Sequence, residues 1–542
     1  MLRPPVRRPF SRPCLLLPCL LVAGLVAEPP AQQPAPPADP ARAFFQKGEV
    51  VRIRITLEAA QRQQLREKPR EYASAALQIG GDSFAAVGVK LKGAAGSFRE
   101  IDDRPGFTVH LTRFGGTTRL HGLQRFHLNN GAQDDSRLSE WLGSEVFTAA
   151  GLPAPRVGHA HVWLDGQDLG IYVLRESFDR QFLLRTFGGT AGNLYDGGFC
   201  QDVDTPLEKD SGDGGDDHQD LMALCELCRG VATQRSGDLA ARIDIPRFVD
   251  FMALESMLDH WDGYTRNMNN YRLWLPTTGG AVFLPHGMDQ LLRDADASVL
   301  DHPPAIVASA VLQEPTFRKR YRDRLKALLP LLTPGKLVPR LQDVAERLQR
   351  ELAGSDADGA RALAEAARGL ENRLRDRHRH LESQVKAPEP KPLALAIGKP
   401  LRLDKWNPAA ETERIELARR AAFGAAALFA GCVDRGTELR HGRWRLHVLL
   451  GRGRYQLRAM VRTEGVVPPP KGDDGDQHGG ACLRVNGEAG TRLIGDQSWQ
   501  QLSRDFEVGE FQRTVELACD LQATAGKAWF RLDSLQLVRL PD

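Results

Sequence analysis

His260-Trp261-Asp262-Gly263-Tyr264-Thr265-Arg266-Asn267 is followed by Tyr271 to Leu275, a Pro/Gly turn, Ala281 to Leu284, and then Pro285-His286-Gly287-Met288-Asp289. The apolar run Pro246 to Leu258 just upstream has helical periodicity, so a helix delivers Asp262 to a loop and a short hairpin follows. An acid, an amide five residues later and a second acid beyond a strand pair is a phosphoryl-transfer spacing. In the pattern H-R-D-x-x-x-x-N the first acid accepts the attacking hydroxyl's proton, while the amide and the later acid hold metal. His260, Asp262 and Asn267 fit that spacing, and Asp289 stands where the second metal ligand belongs. The plain reading is that an Asp after a hairpin is a turn former.

Upstream, Val50 to Leu57, Ser83 to Lys92 and Phe107 to Thr112 alternate apolar and polar residues, with a small helix over Glu58 to Lys68. Lys92-Gly93-Ala94-Ala95-Gly96-Ser97 is a glycine-bearing turn after a strand; its backbone N–H groups suit phosphate, and a plain hairpin turn is the default. Asp134-Asp135-Ser136 offers N-cap chemistry for a helix carrying Glu140 and Glu145, which stops at Gly151-Leu152-Pro153. Two strands, Arg156 to Leu164 and Leu169 to Leu174, join at Asp165-Gly166; Glu176 and a helix around Asp179 to Phe187 follow. This is the order of a kinase small lobe and its hinge. In that reading Glu140 or Glu145 pairs with the phosphate-gripping cation. No lysine occurs between Lys92 and Lys209, so that cation is Lys92 or Lys90, or an arginine such as Arg104 or Arg113.

Beyond Glu176, Cys200 to Asp220 is acidic and Gly-rich but misses the calcium-loop register, and reads as a solvated loop. Residues 315–386 are helical and laced with opposite charges. After a Pro-rich linker over 387–394, Tyr455 to Val461, Ala481 to Val485, Phe511 to Cys519 and Lys527 to Leu540 alternate in period two, as in a β-sandwich. Trp499 and Trp529 are sugar-stacking candidates or core residues, core being favoured.

With 72 basic and 69 acidic residues the net charge is +3, too small to indicate a nucleic-acid or membrane-surface partner. Arg3, Arg7, Arg8 and Arg12 precede the apolar run Cys14 to Ala27, the pattern of a secretory signal peptide over 1–27, with a Pro-rich linker over 28–40. The apolar run is shorter than the roughly 20 residues of a membrane-spanning helix, so no integral membrane segment is expected after processing. Cys200, Cys225 and Cys228 form one group and Cys432, Cys482 and Cys519 another; one bridge per group plus a spare thiol is expected, ahead of a zinc site.

Several stretches together resemble the CotH (spore coat protein H) kinase-like family, in its exported form with an appended β-sandwich. They are Leu91-Lys92-Gly93 with Gly96-Ser97; Leu128-Asn129-Asn130 with Asp134, Ser136 and Glu140; Gly151-Leu152-Pro153-Ala154-Pro155-Arg156; Asp165-Gly166; Gly170-Ile171-Tyr172; Glu176; Gly192-Asn193-Leu194-Tyr195; Asp262 to Tyr271; and Pro285 to Gln290. They span about residues 50 to 300 in the family's order. The resemblance implies an α+β fold. An atypical protein-kinase-like two-lobed domain occupies 41–386 (small lobe about 41–175, large lobe about 176–386), and an all-β, jelly-roll-like sandwich occupies 395–542. It implies ATP with Mg2+ or Mn2+ as cofactors and Ser/Thr of exported proteins as substrate, in a secreted, periplasmic or cell-surface setting. By the family pattern Asp262 is the base and Asn267 or Asn270 a metal ligand, with Asp289 the phosphate-bridging metal ligand. By the same resemblance Lys92, Gly93, Gly96, Ser97, Arg104, Glu140 and Glu176 are the residues expected to bind the nucleotide. Many members carry Trp-Asp-Leu-Asp where this chain has His286-Gly287-Met288-Asp289, so only the second acid is present, and Arg104 stands where Lys is common.

Two other function classes remain. One is an inactive kinase-like scaffold whose sandwich binds a cell-surface glycan, distinguished by the absence of a Mg-ATP thermal shift. The other is a hydrolase using Asp259 and Asp262, against which capping or salt-bridging is the simpler role for acids three apart at a helix end.

Overall fold

The computed structural model describes residues 41–46, 49–117, 119–230, 235–434, 436–469 and 479–541; the signal peptide and linker expected over 1–40 lie outside these. In β1 (Val51–Thr56) Ile53 and Ile55 are buried while Arg52 and Arg54 face water, so period-two alternation assigns one face to a core. The same alternation holds in β2 (Ala73–Ile79) and β5 (Arg125–Asn129), whereas β3 (Asp82–Lys92), β4 (Gly106–His110), β6 (Val157–Leu164) and β7 (Gln167–Glu176) carry runs of consecutive buried residues, as strands covered on both faces do. Among the described residues these seven close into a barrel in the order β1-β2-β3-β4-β5-β7-β6, antiparallel except for the parallel β1–β6 seam. Closure leaves no sheet edge and encloses a core that includes Val89, Phe107, Phe126, Val162 and Tyr172. β2 and β5 complete a ring that the alternating stretches alone did not suggest.

The next region is mostly helical around a four-stranded sheet in the order β11-β10-β8-β9, built from β8 (Gly192–Asp196), β9 (Glu208–Ser211), β10 (Tyr271–Pro276) and β11 (Val282–Pro285). Glu208–Ser211 is therefore a strand inside the stretch expected to be a solvated loop. It is held there by pairing with β8 and by Asp210, which takes a 2.8 Å bond from Arg272. The helix Ile245–Met257 buries nine of its residues in the large core it shares with the helices of residues 306–384.

Ten strands between Pro400 and Arg539 form a third sheet among the described residues. Its spine is two long strands, Arg440–Val467 and Gly495–Ala523, paired antiparallel with register shifts at Gly451/Gly453 and Val461/Thr463 that bend both. Lys527 to Leu540 is two strands, Ala525–Arg531 and Gln536–Arg539, separated by a single 3-10 turn. Trp406 and Trp444 fill the core, whereas Trp529 is buried with Phe429 in a separate small cluster. Cys200, Cys225, Cys432, Cys482 and Cys519 are free thiols, contrary to the bridges expected. Cys482 is paired across the sheet with Asp520 and Cys519 with Leu483, so the two sulfurs lie on opposite faces. Among the described residues no helix is long and apolar enough to cross a membrane.

Candidate active site

The site begins at the end of the helix Ile245–Met257. Asp244 caps its start, accepting the Arg247 N–H at 3.2 Å, and Pro246 supplies a first-turn residue with no N–H to satisfy. Its far end would leave carbonyls unpaired, but the fully buried Arg377 reaches across from the helix Ala357–Gln384 and donates to Met257 O at 3.0 Å and Ser256 O at 2.6 Å. Asp259, at φ 48°, turns the chain out of the helix, and its carboxylate accepts the Asp294 N–H at 2.7 Å. Glu255, wholly buried, then accepts the N–H groups of Tyr264 and Thr265 at 3.0 and 2.9 Å, fastening the loop back onto the helix that supplied it.

Held in this way, Asp262 receives three amide donors. Asn267 Nδ2 lies 2.5 Å from Oδ1, and the Nδ2 groups of Asn269 and Asn270 lie 2.9 and 2.7 Å from Oδ2. A carboxylate has about four lone-pair sites, so three donors leave one open for an incoming proton. Asn270 adopts φ 48°, a left-handed conformation asparagine tolerates well. Its amide sits where a side chain at position 287 would begin: a Cβ on Gly287, itself at φ 54°, would meet Asn270 Oδ1 at 2.3 Å. The absence of a side chain at Gly287 is therefore what gives Asn270 room to reach Asp262.

Asp262 lines a cleft of ≈ 760 Å³ together with Lys92, Glu140, Asn129, Asn267, Asn270 and Asp289. At one end Lys92 donates to Asn129 Oδ1, and the Asn129 amide nitrogen donates to both oxygens of Glu140 at 2.8 Å. The cation and the acid are thus linked through an intervening amide rather than directly. Burial, together with the nearby Arg175 guanidinium, pushes the Lys92 ammonium down to about 8. Burial and the negative charge of Glu140 push the Asp289 carboxyl up to about 7. An acid this reluctant to ionise becomes a good anion when a cation joins it. Among the described residues no three His, Cys, Asp or Glu side chains converge on a point. The donors present are carboxylate and amide oxygens, which suit a hard cation such as Mg2+ or Mn2+ that keeps water and substrate phosphate in its remaining positions. Asp289 and the amides of Asn267 and Asn270 are the residues that would hold it.

The structure therefore brings Asp262, Asn267, Asn270, Asp289, Lys92, Glu140, Gly93 and Ser97 to one cleft and leaves others out. Gly96 belongs to the same turn without facing the cleft, and the N–H groups of Ala94, Ser97 and Phe98 are used within that turn. Arg104 is not in the cleft. It donates to Ile171 O at 2.5 Å, lies over the Tyr172 ring, and lines a different cavity of ≈ 620 Å³. Glu176 is also elsewhere: it is 2% exposed and held by Arg156 at 2.7 Å and Arg185 at 2.9 Å, an ion pair internal to the fold. Of the two helix acids Glu140 faces the cleft, while Glu145 bonds Arg340. Lys90 and Arg113 lie on the Tyr72 ring instead. Asp259 is occupied by Asp294 N–H and Arg266, which removes the paired-carboxylate reading. Sequence reasoning missed Asn129 and Asn269 as working residues; each is half of an Asn-Asn doublet, which is the signal that would have found them.

A sequence model of the family described as CotH kinase protein matches residues 89–381. Inner spore coat protein H of Bacillus subtilis (strain 168) is 23% identical over 252 residues, which cover 42% of this chain and 69% of that protein. Among solved structures, TmCBM61 in complex with beta-1,4-galactotriose shares 12% identity over 25% of this chain and 88% of its own, at TM-score 0.18. The CBM22-1 xylan-binding domain of Paenibacillus barcinonensis Xyn10C shares 12% over 25% and 86%, at TM-score 0.16.

Proposed function

The chain belongs to the CotH kinase protein family, and from that premise we propose that it transfers the γ-phosphate of ATP, with Mg2+ or Mn2+, to a Ser or Thr hydroxyl of an exported protein. The observation that supports this best is the single cleft lined by an acid held by three amides, a second acid, Asp289, and a buried lysine. In the transfer the Asp262 carboxylate takes the acceptor hydroxyl's proton as the new oxygen–phosphorus bond forms and the bond to the ADP oxygen breaks. Lys92, positioned by Asn129 and Glu140, neutralises phosphate charge, while Asp289 with Asn267 and Asn270 anchors the cation. The bound cation supplies further charge neutralisation at the phosphoryl oxygens. The two-lobed kinase-like arrangement belongs to this proposal, with the barrel as one lobe and the helical region as the other. So does a secreted, periplasmic or cell-surface location, which the basic and apolar pattern of residues 1–27 supports. The test is labelled phosphate incorporation into co-exported proteins with Mg2+ or Mn2+. Incorporation is expected from the natural chain and lost in Asp262→Asn and Asp289→Ala; unchanged incorporation in both variants removes the assignment.

A second reading, glycan attachment through the C-terminal strands, is favoured by one observation. Phe423, half exposed, meets Trp529 and Trp499 edge-on at 5.2 and 6.4 Å, with Arg462 3.9 Å from its ring, outside the main core. Retention on insoluble cell-wall polysaccharide, lost in Trp499→Ala, is the expected outcome; equal retention of both chains counts against it.

A further inference from the structure

Large apolar side chains that stay in water singly are ordinary, but two at the rim of one polar cleft are informative. Within residues 49–386 four such side chains are exposed among the described residues: Phe114, Phe199, Met222 and Trp261. Phe199, 66% exposed, and Trp261, 38% exposed, both line the cleft; Phe114 and Met222 do not. Their positions relative to the base follow from the bonding. Trp261 is the residue before Asp262. Phe199 precedes Cys200, whose Sγ receives the Asn267 Nδ2 group at 3.6 Å, and that same nitrogen lies 2.5 Å from Asp262 Oδ1. Both residues are thus joined through the backbone to groups that hold Asp262, and both line the cleft that contains it. Lys92, Asn129 and Glu140 mark the phosphate-neutralising end. Part of each ring is accessible from the cleft, Phe199 more than Trp261.

We propose that Phe199 and Trp261 form a docking subsite for a bulky apolar side chain of the acceptor polypeptide, next to the Ser or Thr whose hydroxyl reaches Asp262; this rests on the phosphotransfer reading above. The location decides the chemistry. An acceptor whose hydroxyl reached Asp262 would bring its flanking residues close to these two rings, whose largest contribution is apolar surface. The phosphates of the nucleotide gain nothing from such surfaces. Burying an aliphatic or aromatic side chain between them removes both partners from water, which favours that acceptor over one carrying a polar residue at the same place.

The test uses the full chain and two synthetic peptides that differ only in the residues flanking one serine, leucine in one and glutamine in the other. Phosphate transfer and binding, the latter by fluorescence anisotropy, are both measured with Mg-ATP and its KM followed alongside. The natural chain is expected to favour the leucine peptide by about tenfold in kcat/KM, through KM rather than kcat. Phe199→Ala and Trp261→Ala are expected to reduce that preference to about twofold or less. Phe199 is not adjacent to Asp262 in sequence, so its variant keeps the test valid if Trp261→Ala folds poorly, as judged by its melting transition. No leucine preference in the natural chain, or a preference unchanged in the variants, overturns the subsite. A rise in KM for ATP with none for peptide also overturns it, by assigning the rings to the nucleotide base. If the natural chain transfers no phosphate yet binds the leucine peptide in a Phe199-dependent way, the phosphotransfer reading fails and the docking subsite stands.

Discussion

In the C-terminal strands Asp520 is wholly buried, accepts from Arg484 Nε at 2.6 Å, lies 2.8 Å from His441 Nε2 and has Arg443 3.9 Å away. In the cleft Asp289 has an acid, Glu140, as its strongest charged neighbour, and is pushed up to about 7. Asp520 is wholly buried with its charge balanced by arginine, whereas Asp289 stands partly buried on the cleft wall, where the acid Glu140 outweighs the cation Lys92. A buried acid completed by arginine has a structural role, whereas one whose carboxyl is pushed up beside a second acid in a cleft is suited to a partner that arrives from outside. Glu176, enclosed by Arg156 and Arg185, is of the first kind, which explains why a residue of the right type at a motif position lies outside the cleft.

The contrast can be broken most forcefully at Asp289. Asp289→Ala is expected to abolish metal-dependent ATP turnover and the Mg-ATP thermal shift with little change in the melting transition without ligand; calorimetry of both forms checks this. Asp262→Asn should keep the thermal shift and lower phosphate transfer by about 10²–10⁴-fold, measured in single turnover. Asp520→Ala should do the reverse of both. It strands Arg484 and is expected to lose about 3–5 kcal/mol of stability in urea unfolding while transfer by the folded fraction stays unchanged.

Smaller effects sharpen the same boundary. Burial pushes the His159 imidazole down to about 4, so the folded chain keeps it neutral while the unfolded chain binds a proton below the usual 6.5. Its contribution is complete above about pH 6.5 and is lost as pH falls toward 4, amounting to about 3 kcal/mol. Urea unfolding across that window should show the loss, and His159→Gln, which keeps a donor for the Arg137 carbonyl, should flatten it. Gly287→Ala brings a Cβ against Asn270 and removes one of three donors from Asp262; transfer should fall by about tenfold or more, with nucleotide binding retained.

The candidate site was legible where the chemistry is local. Asp262 and Asn267 are five residues apart, and a four-residue helix, Tyr264–Asn267, suffices to return the amide to the acid. Arg104 was misread because its neighbours in sequence carry no information about which side of the barrel wall its side chain takes. Contact with Ile171, 67 residues away, decides that. The closed barrel was hidden for a related reason: alternation identifies a strand's two faces, but the β1–β6 seam joins residues more than a hundred positions apart.

Taken alone, the amino-acid sequence determined which residues could act as acid, amide and cation, several of the strands and helices around them, and the family pattern they follow. Those are properties of side-chain chemistry and short-range periodicity. Only the tertiary structure decided that Glu140 rather than Glu145 meets Lys92 through Asn129, and that Glu176 and Arg104 stand aside. It alone decided that Asp520 is neutralised by arginine while Asp289 sits beside a second acid. Burial and charge pairing depend on which distant segments pack together, and that is settled by the fold as a whole.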